Sequence, residues 1–202
     1  QCCLVGSEMC IRDRVYDDPL VQNAGLDVYE NPIDNHDYII CVDVSRGLAQ
    51  DYSAFVIIDI THAPWKLVAK YRNKDIRPML FPNVIYNVAT NYNNAHVLIE
   101  VNDIGEAVAA SLYYDVEYEN VLMCAMRGRS GQVVGQGFSG NKVQMGVKMS
   151  KTVKAQGCSN LKTLIEDDKL LARDYNIVAE LTTFIQNKLS LIHISEPTRQ
   201  HW

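Results

Sequence analysis

The stretch Tyr38-Ile-Ile-Cys-Val-Asp-Val44 is a short apolar run with one carboxylate near its end. A short run rich in β-branched residues is typical of a strand buried within a sheet. Residues 53–61 and 65–72 predict two further strands, and the connections are short enough for an antiparallel meander. The first strand should therefore lie inside the sheet, with Asp43 close to one of its ends.

The residues downstream predict helices that alternate with strands. Apolar residues recur at helical spacing over residues 78–94, and residues 104–118 are rich in alanine and leucine. Residues 96–101 and 121–126 predict a fourth and a fifth strand, and Ser150 can cap a helix that runs towards residue 171. Strands separated by helices favour parallel pairing. We therefore predict an α/β domain in ribonuclease H-like order, with a mixed five-stranded sheet (an antiparallel three-strand meander plus two parallel strands) flanked by helices.

Two carboxylates end strands that should be neighbours. Asp43 lies at the end of the first strand and Glu100 at the end of the fourth. If these strands are adjacent and parallel, both acids meet at one edge of the sheet, where α/β proteins commonly bind ligands. Like charges repel there unless a cation lies between them. Oxygen ligands without histidine or cysteine nearby favour Mg²⁺ or Mn²⁺, and two such ions about 4 Å apart can hydrolyse a phosphodiester. Taken singly, each acid is more often a solvent contact.

Basic residues are concentrated in the second half of the chain. The formal net charge is −5, yet residues 120–165 contain no aspartate or glutamate. Such a segment suits a polyanion such as DNA, and a solvated basic face without a ligand is the alternative. The candidate DNA-binding residues are Arg127, Arg129, Lys148, Lys151 and Lys154, of which the last two lie on one face of the predicted helix start.

The two ends of the chain differ from its middle. Residues 1–14 and 189–202 resemble translated sequencing-adapter sequence and continue neither a strand nor a helix pattern. The alternative is that they are genuine, poorly ordered termini. Residues 15–37 are polar and contain two prolines, so residues 1–37 together are predicted to be a lead-in. The predicted domain spans residues 38–188, and we expect it to be incomplete at its C-terminal side.

Three segments resemble the C-terminal nuclease domain of the large terminase subunits of tailed bacteriophages. Asp43-Val-Ser-Arg-Gly-Leu-Ala-Gln-Asp51 resembles the first nuclease motif, and Ile99-Glu-Val-Asn-Asp-Ile-Gly105 resembles the second. Residues 146–162 and 164–170 resemble the segment that follows the nuclease hairpin. The resemblance implies a metal-dependent endonuclease that cuts concatemeric double-stranded DNA. It also implies that Asp43 and Glu100 bind the metal ions and that Asp51 is a further catalytic acid.

The same resemblance implies what accompanies the domain. The family normally supplies a third acid from a His-Asp-Asp type motif on a later helix and an ATPase motor with a glycine-rich phosphate loop, and this sequence contains neither motif. We therefore expect this stretch of chain to be inactive by itself. The implied partners are double-stranded DNA, the portal protein, the small terminase subunit and the ATPase domain. The implied location is the cytoplasm of the infected bacterial host, at the procapsid portal; no membrane is expected, because no apolar run approaches the ~18 residues of a membrane span.

Two other functions stay open at the level of sequence. One is a non-catalytic DNA-gripping module of the packaging motor, in which the acids serve structure. The other is an actin-like ATPase domain, which shares the fold, although Asp43-Val-Ser-Arg-Gly47 lacks the glycine usual in that class two residues after the aspartate. Asp103, close to Glu100, is expected to begin the turn into the next helix, where an acid is a good cap; the alternative is a contact with a ligand of the metal site.

Overall fold

The computed structural model describes residues 16–47, 51–126, 132–134, 143–186 and 191–193. In chain order its strands are β1 (Val21–Asn23), β2 (Leu26–Val28), β3 (Tyr38–Asp43), β4 (Ser53–Asp59), β5 (Trp65–Asn73), β6 (His96–Ile99), β7 (Met123–Met126), β8 (Gln132–Val134), β9 (Val143–Met145), β10 (Leu170–Leu171), β11 (Phe184–Gln186) and β12 (Leu191–His193). Its helices are α1 (Phe81–Asn91), α2 (Gly105–Ala110), which continues as a π-helical turn over Ser111–Asp115, α3 (Lys151–Glu166) and α4 (Tyr175–Thr183).

The central sheet has seven strands in the order β1-β2-β5-β4-β3-β6, with β10 paired to β5. β3, β4 and β5 pair antiparallel, and β6 pairs with β3 in parallel, so the predicted meander and parallel pair are confirmed. The sheet is larger than predicted for two reasons. Within the predicted lead-in, β1 and β2 form a hairpin whose second strand pairs with β5. The short strand β10 adds a parallel partner at the start of β5.

The predicted fifth strand differs from expectation in its pairing. It meets β6 around one residue, where Leu122 N–H donates to the carbonyl of Val97 at 2.8 Å. The chain then enters a separate three-stranded antiparallel sheet, in the order β8-β7-β9. The place beside the end of β6 is taken by Val147, whose N–H donates to Ile99 at 2.8 Å and whose carbonyl accepts from Val101 at 2.9 Å. Because those backbone groups are already paired, a long parallel fifth strand has no partner there.

The three predicted helices begin within a few residues of the predicted positions, and each ends three to five residues earlier than predicted. Ser150 Oγ accepts from Val153 N–H at 3.2 Å, so Ser150 caps α3 as predicted. α3 ends at Glu166 rather than near residue 171, because Asp168 adopts a left-handed conformation (φ 53°) that reverses the chain. In the part of the chain that the structure describes, no helix combines the length and the apolar character needed to cross a bilayer.

Apolar side chains cover both faces of the sheet. On one face the main core joins the strands to α1 and α2, and its fully buried members include Ile40, Phe55, Phe81 and Ile85. On the other face a smaller cluster places Ile165 of α3 and Leu170 against Ile58 of β4. Because side chains alternate along each strand, successive residues pack against opposite helix layers.

Candidate active site

Asp43 and Glu100 lie next to each other at one edge of the sheet. The parallel register of β3 and β6 pairs Val42 with Ile99, and Asp43 and Glu100 are the next residues along each strand. Glu100 N–H donates to the carbonyl of Val42 at 2.9 Å, which continues that register by one residue. Neighbouring strands are about 4.8 Å apart. The structure thus brings together the two acids that the sequence places at strand ends.

The side chain of Asp43 is on the sheet face that α3 covers. Along β3, Tyr38, Ile40 and Val42 are buried in the main core, so Asp43 alternates to the opposite face. In the antiparallel register Asp43 is opposite Ala54, and Ile39 is opposite Ile58, which packs against α3. The acid pair and the helix layer made by α3 therefore share one face of the sheet.

Partial burial and neighbouring negative charges make the two carboxylates costly to ionise, although the Asp43 side chain is still exposed to solvent. Burial raises the pKa of Asp43 above its usual value, a hydrogen bond from the Val44 backbone opposes this, and the charge of Asp51 adds to it. Burial, and then the charge of Asp43, raise the pKa of Glu100. The positive charge of Lys154 lowers the pKa of both acids, although the net shift remains upward. A cation near the pair therefore stabilises its ionised form.

The negative charge of Asp51 contributes to the raised pKa of Asp43, so the two acids are near each other. Asp51 is exposed and precedes β4 by two residues. Within the described residues, however, no group of three histidine, cysteine, aspartate or glutamate side chains is arranged to hold a metal ion. The donor set that these residues provide near the sheet edge is thus a pair of carboxylates, Asp43 and Glu100. Two oxygen donors at a site of negative charge fit a hard divalent cation, although they do not complete its shell.

Three of the five candidate DNA-binding residues lie within the described part of the chain. Lys148 precedes α3, Lys151 is its first residue, and Lys154 is in its first turn; all three side chains are exposed. The charge of Lys154 reaches both acids, so the start of α3 faces the sheet edge that carries them. Arg127 and Arg129 lie outside the described residues.

The loop after β6 contains two residues, Asn102 and Asp103, whose contacts the sequence did not predict. Asn102 donates from Nδ2 to Glu100 Oε1 at 3.1 Å, and it also bonds to the backbone of Met149. Asp103 does not cap α2, contrary to expectation; it accepts from Arg46 Nε at 2.5 Å and has a left-handed backbone (φ 55°). The Arg46–Asp103 pair is exposed and joins the loops that follow the two acid-bearing strands. An amide two residues after a strand-end acid is a weak sequence signal, since its partner Met149 is distant along the chain.

Two glycines allow the backbone to pack closely against Glu100. A Cβ atom at Gly105 would lie 1.9 Å from the carbonyl oxygen of Glu100, so α2 can begin there only without a side chain. A Cβ atom at Gly146 (φ 75°) would lie 2.3 Å from the carbonyl oxygen of Ile99. The backbone that surrounds Glu100 therefore depends on glycine on both sides.

The mixed sheet and the acids at the ends of its parallel pair define a ribonuclease H-like domain. The chain belongs to the family described as Terminase RNaseH-like domain, which matches residues 40–188. The predicted fold class and the resemblance to large terminase subunits are both confirmed by this match.

Solved structures with the same fold come from thermophilic phages. The large terminase nuclease of phage G20c with bound cobalt is 20% identical, with a TM-score of 0.65 over 93% of this chain and 86% of that chain. The same nuclease with bound magnesium is 19% identical, with a TM-score of 0.66 over 91% and 85%. The nuclease domain of the large terminase of Thermus phage P74-26 is 21% identical, with a TM-score of 0.61 over 87% and 78%.

Proposed function

We propose that this chain is the metal-dependent endonuclease domain of a viral DNA-packaging terminase and cuts concatemeric double-stranded DNA. The observation that carries the proposal is the adjacency of Asp43 and Glu100 at the ends of paired parallel strands. Two partly desolvated carboxylates in adjacent strand positions destabilise each other, and a fold keeps such a pair when a cation offsets the repulsion. Membership of the terminase family supports phosphodiester hydrolysis as the chemistry of that cation.

Mg²⁺ or Mn²⁺ suits this donor set, and the cobalt and magnesium complexes of the phage G20c nuclease support a divalent ion. Asp43 and Glu100 would hold it, with Asp51 contributing negative charge beside Asp43. Asp43 and Glu100 would hold two such ions, and these would supply the activation of a water molecule and the stabilisation of the departing 3′ oxygen of the phosphodiester. The third acid that the family pattern supplies would complete the set of ligands.

Lysine side chains at the start of α3 would hold the DNA over the acid pair. Lys154 would contact the phosphate nearest the acids, and the effect of its positive charge on the pKa of both acids supports this role. Lys148 and Lys151 would contact neighbouring phosphates, and Arg127 and Arg129 complete the proposed basic set. Phosphate contacts carry no base sequence information, so we propose cleavage with little sequence preference.

The proposed setting follows from the family. The full-length large subunit would join this domain to an ATPase motor, and both would act with the portal protein and the small terminase subunit. The place of action would be the procapsid portal in the cytoplasm of the infected bacterial host. The actin-like ATPase alternative finds no support in the family match, which is to terminases.

One observation favours a second candidate function, a DNA-gripping module without catalysis. The described residues contain no group of three metal-ligating side chains, and two carboxylates alone bind a divalent ion weakly. In that case the basic start of α3 would still bind DNA, and Asp43 and Glu100 would serve only structure.

Nicking of supercoiled plasmid by the complete large subunit separates the two functions. With Mn²⁺ the unmodified protein should nick the plasmid, and Asp43→Ala should slow nicking at least about 100-fold, since even indirect partners of a metal matter 10–100-fold. Asp167→Ala is the matched control, because this exposed acid lies beyond the C-terminal end of α3 and pairs with Lys169. Equal nicking by Asp43→Ala and the unmodified protein would reject the catalytic site. Metal-independent DNA binding with no nicking by any version would favour the gripping module.

A further inference from the structure

We propose that Asn102 is a positioning residue that orients the Glu100 carboxylate and fixes it relative to the first turn of α3. The inference rests on the proposed function, because it assigns Asn102 a role in holding a metal ligand. It adds a residue that belongs neither to the acid pair nor to the lysines described above.

The first contact is with the acid itself. Asn102 Nδ2 donates to Glu100 Oε1 at 3.1 Å, and both side chains are half-buried. A glutamate side chain has several rotatable bonds, so backbone pairing alone does not fix where its oxygens lie. A hydrogen bond to one oxygen restricts that freedom and leaves the second oxygen for a cation.

The second contact is with the segment that leads into α3. Asn102 Nδ2 also donates to the carbonyl of Met149 at 3.0 Å, and Asn102 Oδ1 accepts from Met149 N–H at 3.0 Å. The side-chain amide thus pairs with a backbone amide in both directions, as one strand pairs with another. Met149 precedes Ser150, the residue that caps α3, so this pairing sets where the helix begins.

The backbone beneath these contacts is already fixed. Glu100 forms an isolated parallel bridge with Val147, and Val147 N–H donates to Ile99 at 2.8 Å. Asn102 therefore adds a side-chain link to a backbone pairing that exists without it. Its removal should leave the strands in place and release the Glu100 carboxylate.

The neutral amide of asparagine suits this role better than a charged side chain. An aspartate at this position would repel Glu100, and a lysine or arginine would neutralise the charge that attracts the cation. The amide supplies donors to Glu100 and to Met149 together with an acceptor for Met149 N–H, and it leaves the net charge of the acid pair unchanged.

The test measures Mn²⁺ binding to the chain by the electron paramagnetic resonance signal of free Mn²⁺, together with the shift in Tm that Mn²⁺ causes. Asn102→Ala should weaken Mn²⁺ binding by roughly 10–100-fold, the usual effect of removing a hydrogen-bond partner of a metal ligand, and should reduce the Mn²⁺-induced shift in Tm. Asn93→Ala is the matched control, because Asn93 Nδ2 also donates to two backbone carbonyls, those of Ile33 and His36, and it should leave Mn²⁺ affinity unchanged.

A purely structural role for Asn102 would lower the Tm without metal and leave Mn²⁺ affinity as in the unmodified chain, and that result would overturn the assignment. If Asn102→Ala does not fold, Asn102→Ser provides the same comparison, since its hydroxyl stays polar and loses the reach to Glu100. Failure of the proposed function would give a different result from failure of the Asn102 assignment. In that case the unmodified chain would show no Mn²⁺ binding that Asp43→Ala removes, and both proposals would fall together.

Discussion

The backbone N–H of Glu100 donates to the carbonyl oxygen of Val42, the residue before Asp43, at 2.9 Å. This bond sets the register of β6 against β3 beyond the last paired positions of the two strands. A slip of one residue would send the Glu100 side chain to the opposite face of the sheet. The adjacency of the two acids is thus a property of strand pairing.

Asp43→Asn is expected to stabilise the metal-free protein slightly. Burial is the largest cause that raises the pKa of Asp43, and the charge of Asp51 adds to it. A raised carboxyl pKa means that the folded state binds the proton more tightly than the unfolded state, so the stability contributed by this group is lost as pH rises through the raised pKa. A neutral amide should therefore raise the free energy of unfolding at pH 7 by about 0.5 kcal/mol, a small gain because solvent still reaches the side chain and screens its charge.

Urea unfolding with and without Mn²⁺ tests this expectation. Asp43→Asn should gain stability without metal and should lose most of the stabilisation that Mn²⁺ gives the unmodified chain. Asp167→Asn, which changes an exposed acid paired with Lys169, should change neither value by more than about 0.5 kcal/mol. A variant of Asp43 that is less stable without metal, yet fully stabilised by Mn²⁺, would contradict the proposed site.

Gly146→Ala is expected to be strongly destabilising, whereas Gly157→Ala should be stabilising. Gly146 has a positive φ of 75°, and its Cβ would lie 2.3 Å from the carbonyl oxygen of Ile99. Gly157 lies inside α3, and a methyl group added there would meet nothing within 4 Å. We expect Gly146→Ala to cost about 3 kcal/mol and Gly157→Ala to contribute about 0.8 kcal/mol, as alanine does in an exposed helix. Thermal unfolding of both variants measures this, and similar effects of the two substitutions would show that the close approach at Gly146 is absent.

Acid should destabilise the protein partly through Asp174. This buried carboxylate accepts hydrogen bonds from Lys70 Nζ and Tyr29 OH and from Ile177 N–H. Burial alone would raise the pKa of Asp174, but these bonds outweigh it and lower the pKa. A lowered pKa contributes stability that is present above the unfolded value, about 3.9, and is lost as pH falls through the folded value.

Asp174→Asn removes that titration and should cost about 3 kcal/mol at pH 7, because it leaves Lys70 buried with a weaker partner. Urea unfolding at a series of pH values from 6 down to about 2 provides the measurement. The unmodified protein should lose stability more steeply below pH about 4 than Asp174→Asn. Parallel pH profiles for the two proteins would show that Asp174 is not the group responsible.

Lys154→Gln is expected to weaken DNA binding in a salt-dependent way. If Lys154 contacts one phosphate, its removal should reduce the slope of log K against log salt concentration by about 0.9. Lys169→Gln is the control, because Lys169 is an exposed lysine beyond the C-terminal end of α3. Fluorescence anisotropy of labelled duplex DNA at several salt concentrations measures both slopes. An unchanged slope for Lys154→Gln, or an equal change for Lys169→Gln, would place the DNA elsewhere.

The elements that the sequence predicts well are those with a strong local pattern. The run before Asp43 is apolar and β-branched, and it is a buried strand in the structure because such side chains suit a sheet covered on both faces. The hairpin of β1 and β2 has exposed or half-buried residues, so its strand character comes from pairing with β5 and leaves little local signal.

In the candidate site, too, some residues can be recognised from the sequence and others only from the folded structure. Asp43 and Glu100 are recognisable because an acid at the end of an apolar strand is unusual, and the strand order then brings them together. The partner of Asn102 is Met149, 47 residues further along the chain, so only the folded structure shows the contact. The sequence predicts that Asp103 caps α2. In the structure Asp103 has a left-handed backbone conformation and instead accepts a hydrogen bond from Arg46.

An anomalous difference map from a crystal of this chain soaked in Mn²⁺ would show whether Asp43 and Glu100 share a divalent cation. We predict a manganese peak with carboxylate oxygens of both residues at about 2.0–2.6 Å, the range for oxygen ligands of hard cations. The same map from Asp43→Ala should lack that peak. A map with manganese at other acids and none between Asp43 and Glu100 would rule out a cation shared by these two residues.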